Sequence, residues 1–273
     1  MITKKISEAA AFKAEKDPFL IDRTINHFSS KLLREQTNRE EVVRKAIDEL
    51  KVDPPKSDSD KEIDLDWLEM FSRIAETKSN EEVQLFLAKI LAGEIRSPGT
   101  FSPKAIQTLS TLDQATAKIF QAFCNISFEI PQLGDSFCAV ICDPFGNPGS
   151  NALISVGLSY GELAYLQDAG LIQHDLSAWR EIPVFLFAMP IKIGDKIFSF
   201  KPEMMDFISS LTDEQLQQTA GMKKVKVNSI NFTAVGRELR KVLHLSNNQL
   251  YNEKFKEWLM PKLDIDLLRN NSL

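Results

Sequence analysis

The run EEVQLFLAKILAGEI, residues 81–95, constrains the fold of this chain more than any other stretch. Val83, Leu87 and Ile90 form one apolar stripe at helical spacing, and Leu85, Ala88, Ala92 and Ile95 form a second. Only Glu82, Lys89, Gly93 and Arg96 leave a polar strip between them. A helix that is apolar around most of its circumference must be surrounded by other elements. The spacing therefore predicts the central helix of a helical bundle. Ser79 and Glu82 stand three residues apart, the spacing of a capping box, and predict its start. Glu94 sits on the apolar side near the C-terminal end, which is the unfavourable end for a negative charge. A lone inward carboxylate needs donors. The expected partners are backbone amides of the Ser97–Phe101 turn or an arginine, with Arg39, Arg73 and Arg96 as candidates. Ser79, Glu82 and Glu94 are thus read as structural polar residues.

The flanking segments read as helices too. Residues 2–16 carry Ile2, Ile6, Ala9, Ala10 and Phe12 on one face, with lysines on the other. Asp17-Pro18 suits a helix start, and Ile21, Ile25, Phe28, Leu32 and Leu33 follow at helical spacing. Asn38 is expected to cap a separate helix with Val42, Val43, Ala46, Ile47 and Leu50 inward. VDPPKSDSDKE, 52–62, breaks the pattern. Residues 63–77 return to it, with Leu65, Leu68, Phe71, Ile74 and Ala75 inward. Two more helices are expected near 103–109 and 113–124. After residue 125 the chain changes to short apolar runs among Pro, Gly and Asp, which read as strands and turns. Helices are expected there at 159–168, 212–221, 233–243 and 248–263. The division is an all-helical part, 1–125, and a mixed part, 126–273.

The chain has 273 residues, long enough for a core without disulfide or metal staples. Its net charge of −5 does not favour polyanions as general partners. The charge is uneven: residues 221–273 hold 10 Lys and Arg against 5 Asp and Glu. That excess is either a nucleic-acid-facing patch or a solvated helix face beside the acidic middle of the chain. Cys124, Cys138 and Cys142 leave an odd count, and no run of 18 apolar residues occurs. The expectations are buried structural thiols, a reduced cytoplasmic setting and no membrane span.

No phosphate loop, H-E-x-x-H or G-x-S-x-G motif occurs, and His27, His174 and His244 stand far apart. No catalytic residue, cofactor or resident metal is assigned. One chemical alternative is a metal-dependent hydrolase. If helix 63–77 lies beside helix 82–96, Asp64, Asp66 and Glu94 could meet and bind a divalent ion through oxygen. The plainer alternative has Asp64 or Asp66 capping its helix.

NRE at 38–40, IDLDW at 63–67, SNEEVQ at 79–84, AKILAGEI at 88–95, SPGTFSPKAIQTLSTLD at 97–113, LQDAGLI at 166–172 and FTAVGREL at 232–239 together resemble an uncharacterised bacterial family, a domain of unknown function. The resemblance covers most of the chain and implies a bacterial cytosolic protein. Phe86-Leu87-Ala88 stands where that family usually has a tryptophan-alanine pair before the lysine. The Glu-Gln…Ala-x-Ile-Leu-Ala pattern is loosely similar to abortive-infection proteins of phage defence. LAYLQDAGLI, 163–172, with FTAVGRELRKVL, 232–243, resembles winged-helix regulators, with Gly170 ending a helix in positive φ. About 60 residues separate these halves, more than a plain wing contains, so helix 212–221 would be an insertion.

The expected fold class is α+β: an N-terminal all-helical bundle followed by a mixed α/β, winged-helix-like domain. The leading function is a non-enzymatic binding or regulatory protein with a protein partner, compatible with a homo-oligomer. The alternatives are the hydrolase above and a DNA-binding protein. The latter would use Lys223, Lys224, Lys226, Arg237, Arg240 and Lys241.

Overall fold

The structure is a computed structural model that describes residues 17, 19–55, 61–131, 138–175, 179–183, 186–187, 189–199 and 224–263. The expected helices at 2–16 and 212–221 lie outside the described residues, as does Lys223. The fold is α+β: helices first, then an antiparallel sheet with helices. The chain divides into two compact units, Met1–Ile106 and Gln107–Leu273.

The first unit is helical. Helix α1 runs without interruption over Leu20–Val52 for 33 residues. Asn38 was expected to start a new helix, but it lies mid-helix and buried. The reason is that its amide has a better use: Asn38 Nδ2 donates to the Glu76 carbonyl at 2.8 Å. Neither Gly nor Pro interrupts residues 20–52, so nothing ends the helix there. Val42 and Ala46 are buried, whereas the expected core residues Val43 and Ile47 are exposed.

Helix α2 covers Leu65–Ala75, with Asp64 capping it by accepting from the Trp67 amide. Its inward residues are Trp67, Phe71 and Ala75. Leu65 and Leu68 were expected inside and are exposed. Leu65 is the first helical residue, one position after the cap, and the buried stripe starts from Trp67 instead.

Helix α3, Glu81–Arg96, starts one residue later than a Ser79 cap would set it. Asn80 is the cap, and its side chain accepts from the Val83 amide at 3.1 Å. Asn serves as well as Ser in that position. This register buries Gln84, Leu87, Ala88, Ile90, Leu91, Ala92 and Glu94. The second expected stripe is only half inside: Ala88 and Ala92 are buried, but Leu85 is 41% and Ile95 36% exposed. Helix α3 packs chiefly on the C-terminal half of α1, where Lys45 also bonds the Gln84 side chain at 2.8 Å. Helix α4, Pro103–Thr111, follows.

The second unit holds helix α5, Gln114–Asn125, capped by Asp113. Its strands are β1 Phe128–Glu129, β2 Cys138–Ile141, β3 Ile172–Gln173, β4 Trp179–Pro183, β5 Ile191–Ile193, β6 Lys196–Phe198 and β7 Lys224–Phe232. The sheet order is β3-β7-β2-β1-β5-β6, with β4 also paired to β7. Strand β7 organises it: Val140 pairs with Ile230, Ile172 with Phe232, and Glu181 with Lys226. Its alternating burial puts Val225 and Val227 inside and Lys224 and Lys226 outside. Helix α6, Tyr160–Asp168, opens on a Ser159–Glu162 capping box. Gly170 follows it at φ 73, the left-handed turn that sends the chain into β3. Helix α7, Ala234–Arg240, is capped by Thr233, and helix α8 covers Gln249–Leu259.

The core of this unit is aromatic. Phe128 lies against Phe187 and Phe255, and Tyr251 stacks on Phe145. The Tyr251 hydroxyl donates to the Ile141 carbonyl and accepts from the Ile141 amide, so it closes the polar edge of β2. All three cysteines are free and buried. Burial, with Asp143 alongside, pushes the Cys142 thiol up to about 12, and burial raises Cys124 as well.

Candidate functional site

The described residues form a cleft in the first unit, at the turn between α3 and α4. It starts from a local problem. Glu94 is 2% exposed and occupies the last turn of α3, where the helix dipole opposes a negative charge. The following turn, Ser97–Phe101, brings its backbone amides back toward the carboxylate. Gly99 N donates to Glu94 Oε1 at 2.5 Å and Phe101 N to Oε2 at 2.9 Å. Charge-assisted bonds of this kind are about twice as strong as neutral ones. Gly99 takes φ 89, which lets the turn present both amides to the same side chain.

Phe101 is held at its other end as well. Its carbonyl accepts from the Trp67 indole N–H at 2.7 Å. The Trp67 ring stacks on Phe71 with centroids 5.2 Å apart. The Phe101 ring lies over Gly93, so close that a Cβ there would meet its edge at 2.7 Å. Asp64, Trp67, Phe101 and Glu94 thus form a chain of contacts from the start of α2 to the end of α3. It walls a cleft of about 750 Å³. Met70, Pro98 and Pro103 add apolar lining, and Lys61, Glu62, Asp64 and Asp66 stand around it. A volume of this order suits a ligand or a bound side chain.

The carboxylates do not assemble as a metal site. Asp64 uses an oxygen to cap Trp67, Glu94 uses both of its oxygens on the turn, and Asp66 is exposed. Among the described residues no group of three His, Cys, Asp or Glu side chains is placed to share an ion. Among the described residues no arginine pairs with Glu94. Arg39 pairs with Glu76, Arg73 with Glu69, and Arg96 bonds the Glu49 and Asp53 carbonyls. Among the described lining residues there is neither His nor Cys. Ser102 Oγ caps α4 by accepting from the Ala105 amide.

The basic residues of the second unit are dispersed in role. Lys224 and Lys226 share the outward face of β7. Lys224 pairs with Glu181 at 3.7 Å, and the Lys226 ammonium sits 3.7 Å over the Trp179 ring. Arg237 donates to the Phe232 carbonyl. Arg240 is buried, bonded to Ser127 Oγ at 2.9 Å and to Glu129 at 2.6 Å. It holds α7 to β1 and is not available to a phosphate, so it leaves the nucleic-acid set. Lys241 is exposed.

Sequence reasoning missed Trp67 and Phe101 as cleft residues. The signal available was Trp67 three residues after a capping Asp64, where a buried indole needs an acceptor.

Residues 22–181 match the model of a family described as Protein of unknown function (DUF2806). Comparison with curated proteins and with solved structures returned no match. Among the described residues no helix is long and apolar enough to cross a membrane.

Proposed function

Since the chain belongs to the DUF2806 family of proteins of unknown function, we propose that it is a non-enzymatic binding protein whose cleft beside Phe101 receives a segment of a protein partner. The observation that carries this reading is the Glu94–Phe101–Trp67 tie, which fixes the cleft wall through the protein's own hydrogen bonds. Binding to a preformed site loses less ordering entropy. The surroundings give the partner's chemistry. Trp67, Met70 and Phe101 favour an apolar side chain, and Glu62, Asp64 and Asp66 against Lys61 favour a neighbouring Lys or Arg. The three buried free thiols suit a reducing compartment, so the setting proposed is the cytoplasm of a bacterium. The likeness to abortive-infection proteins makes phage defence the first process in which to seek the partner.

Selection from a displayed random-peptide library tests the reading. Wild-type protein is expected to enrich peptides with an apolar residue next to a basic one. The variant Asp66→Arg with Met70→Glu is expected to bind them at least ~10-fold more weakly with an unchanged melting temperature, since about 1.4 kcal/mol is tenfold. No enrichment, or equal binding by the variant, removes the cleft as the binding site.

A second reading rests on the exposed Trp179–Lys226 pair, an aromatic face with a cation on the β4–β7 ribbon. Such pairs serve single-stranded nucleic acid through stacking and phosphate contact. The run of α6, Gly170, β3, β7 and Thr233-capped α7 is the part that resembles a winged helix. On this reading a gel shift appears at low salt, weakens steeply as salt rises, and is lost in Trp179→Ala. No shift at the lowest ionic strength ends it.

A further inference from the structure

Helix α1 has the rise of about 50 Å expected of 33 residues, yet only its C-terminal half is packed. Ile21, Ile25, Phe28 and Leu32 follow one another at steps of four, three and four, the spacing of a coiled-coil seam. The same stripe continues through Glu35, Arg39, Val42 and Ala46. Val42 and Ala46 are fully buried where α1 meets α3, and Arg39 pairs with Glu76. The first four positions are exposed by 55, 56, 59 and 48%. Phe19 and Leu33, 68 and 70% exposed, lie more than a quarter-turn away from this seam. One stripe is thus core in one half of the helix and uncovered in the other.

We infer that this N-terminal half of α1 is a homodimer interface, in which Ile21, Ile25, Phe28 and Leu32 of two copies pair as a short antiparallel coiled coil. Two observations choose a second copy as the occupant, and a third bears on its strength. The 3.5-residue repeat is the one that lets two helices keep a seam in register. The four seam side chains leave on the order of 400 Å² per copy, about half of the ~800 Å² per partner of a standard interface, which fits only a weak pair. The charge along the helix is also self-complementary in one direction. Residues 17–24 hold Asp17, Asp22 and Arg23, and residues 31–35 hold Lys31, Arg34 and Glu35. An antiparallel pair sets the net-negative end of each copy against the net-positive end of the other, and a parallel pair sets like ends together. The two-fold axis then falls between Ile25 and Phe28, with Ile21 of one copy opposite Leu32 of the other. An interface at the small end of the range is expected to be weak, on the order of tens of micromolar. This inference is independent of the cleft.

Sedimentation velocity of the full chain from about 1 to about 300 µM reads the outcome, a range that brackets such an affinity. Wild type is expected to move from monomer to dimer across it. Ile25→Glu with Phe28→Glu, both at exposed positions, is expected to keep the wild-type circular dichroism and melting temperature and to associate at least tenfold more weakly. A wild type that stays monomeric throughout overturns the inference, as does a double variant that associates like wild type. A chain that dimerises only after residues 1–16 are removed also overturns it, because the seam is then occupied by the chain itself.

Discussion

Gly236→Ala is expected to lower the stability of the second unit by about 3–5 kcal/mol, the upper end of what overpacking produces. Gly236 lies in the first turn of α7, and a Cβ there would stand 1.9 Å from the Leu171 carbonyl oxygen and 3.0 Å from its carbon. Those are backbone atoms, so no side-chain rotation relieves the clash. The same carbonyl accepts from the Thr233 amide at 3.0 Å, and Thr233 Oγ1 donates to the Gly170 carbonyl at 2.6 Å. Any shift that admits the methyl group therefore opens the joint between β3, β7 and α7. The melting transition should fall by roughly 10 °C, at a few degrees per kcal/mol for a unit of this size. Gly161→Ala is the control. Its Cβ would meet only Ser159 Oγ, at 3.9 Å, within helix α6. That change should be neutral or stabilise by up to about 1 kcal/mol. Differential scanning calorimetry of both variants checks the pair, and equal melting temperatures would refute the close-approach argument.

Glu94→Ala is expected to cost the first unit about 2–4 kcal/mol. The loss comes from the Phe101 amide, which is left buried without an acceptor, and from the Gly99 amide, which sits near solvent. Glu94→Gln keeps one carbonyl oxygen but turns an NH₂ group toward the second amide, so about half of that loss should remain. Urea denaturation distinguishes the two, with the order wild type, Gln, Ala expected in midpoint. Because Trp67 donates to the Phe101 carbonyl, both variants should also weaken peptide capture by the cleft.

The helical framework was readable because its signals are local. Residues 81–95 show helical periodicity, a short helix is legible at 159–168, and KVKVNSINF alternates as a strand should. Glu94 was readable as a problem, since an inward carboxylate near a helix C-terminus needs donors and a five-residue turn follows within reach. Its two amide partners lie only five and seven residues ahead. Apart from the start of α3, where Asn80 and not the neighbouring Ser79 is the cap, the misread positions below depend on a distant partner. Asn38 has the chemistry of a cap, but its amide finds Glu76 in another helix. Leu65 looks more suited to a core than Trp67 until the Phe101 carbonyl supplies the indole with an acceptor. Arg240 reads as a surface cation because the sequence does not say that Glu129, 111 residues away, pairs with it. The pairing of β7 with β2, β3 and β4 is likewise non-local, so the strand was visible in the sequence and its neighbours were not.

Hydrogen exchange resolved at the Phe101 amide tests the central claim most directly, because that amide lies between Glu94 and Trp67 in the wall of the cleft. In wild type it should exchange at least ~1,000-fold more slowly than a free peptide amide, with an opening free energy of several kcal/mol. In Glu94→Ala it should approach the free rate while the amides of Leu87 to Leu91 stay protected. A wild-type Phe101 amide that exchanges freely, or one whose protection survives loss of the carboxylate, would contradict a cleft held open by that tie.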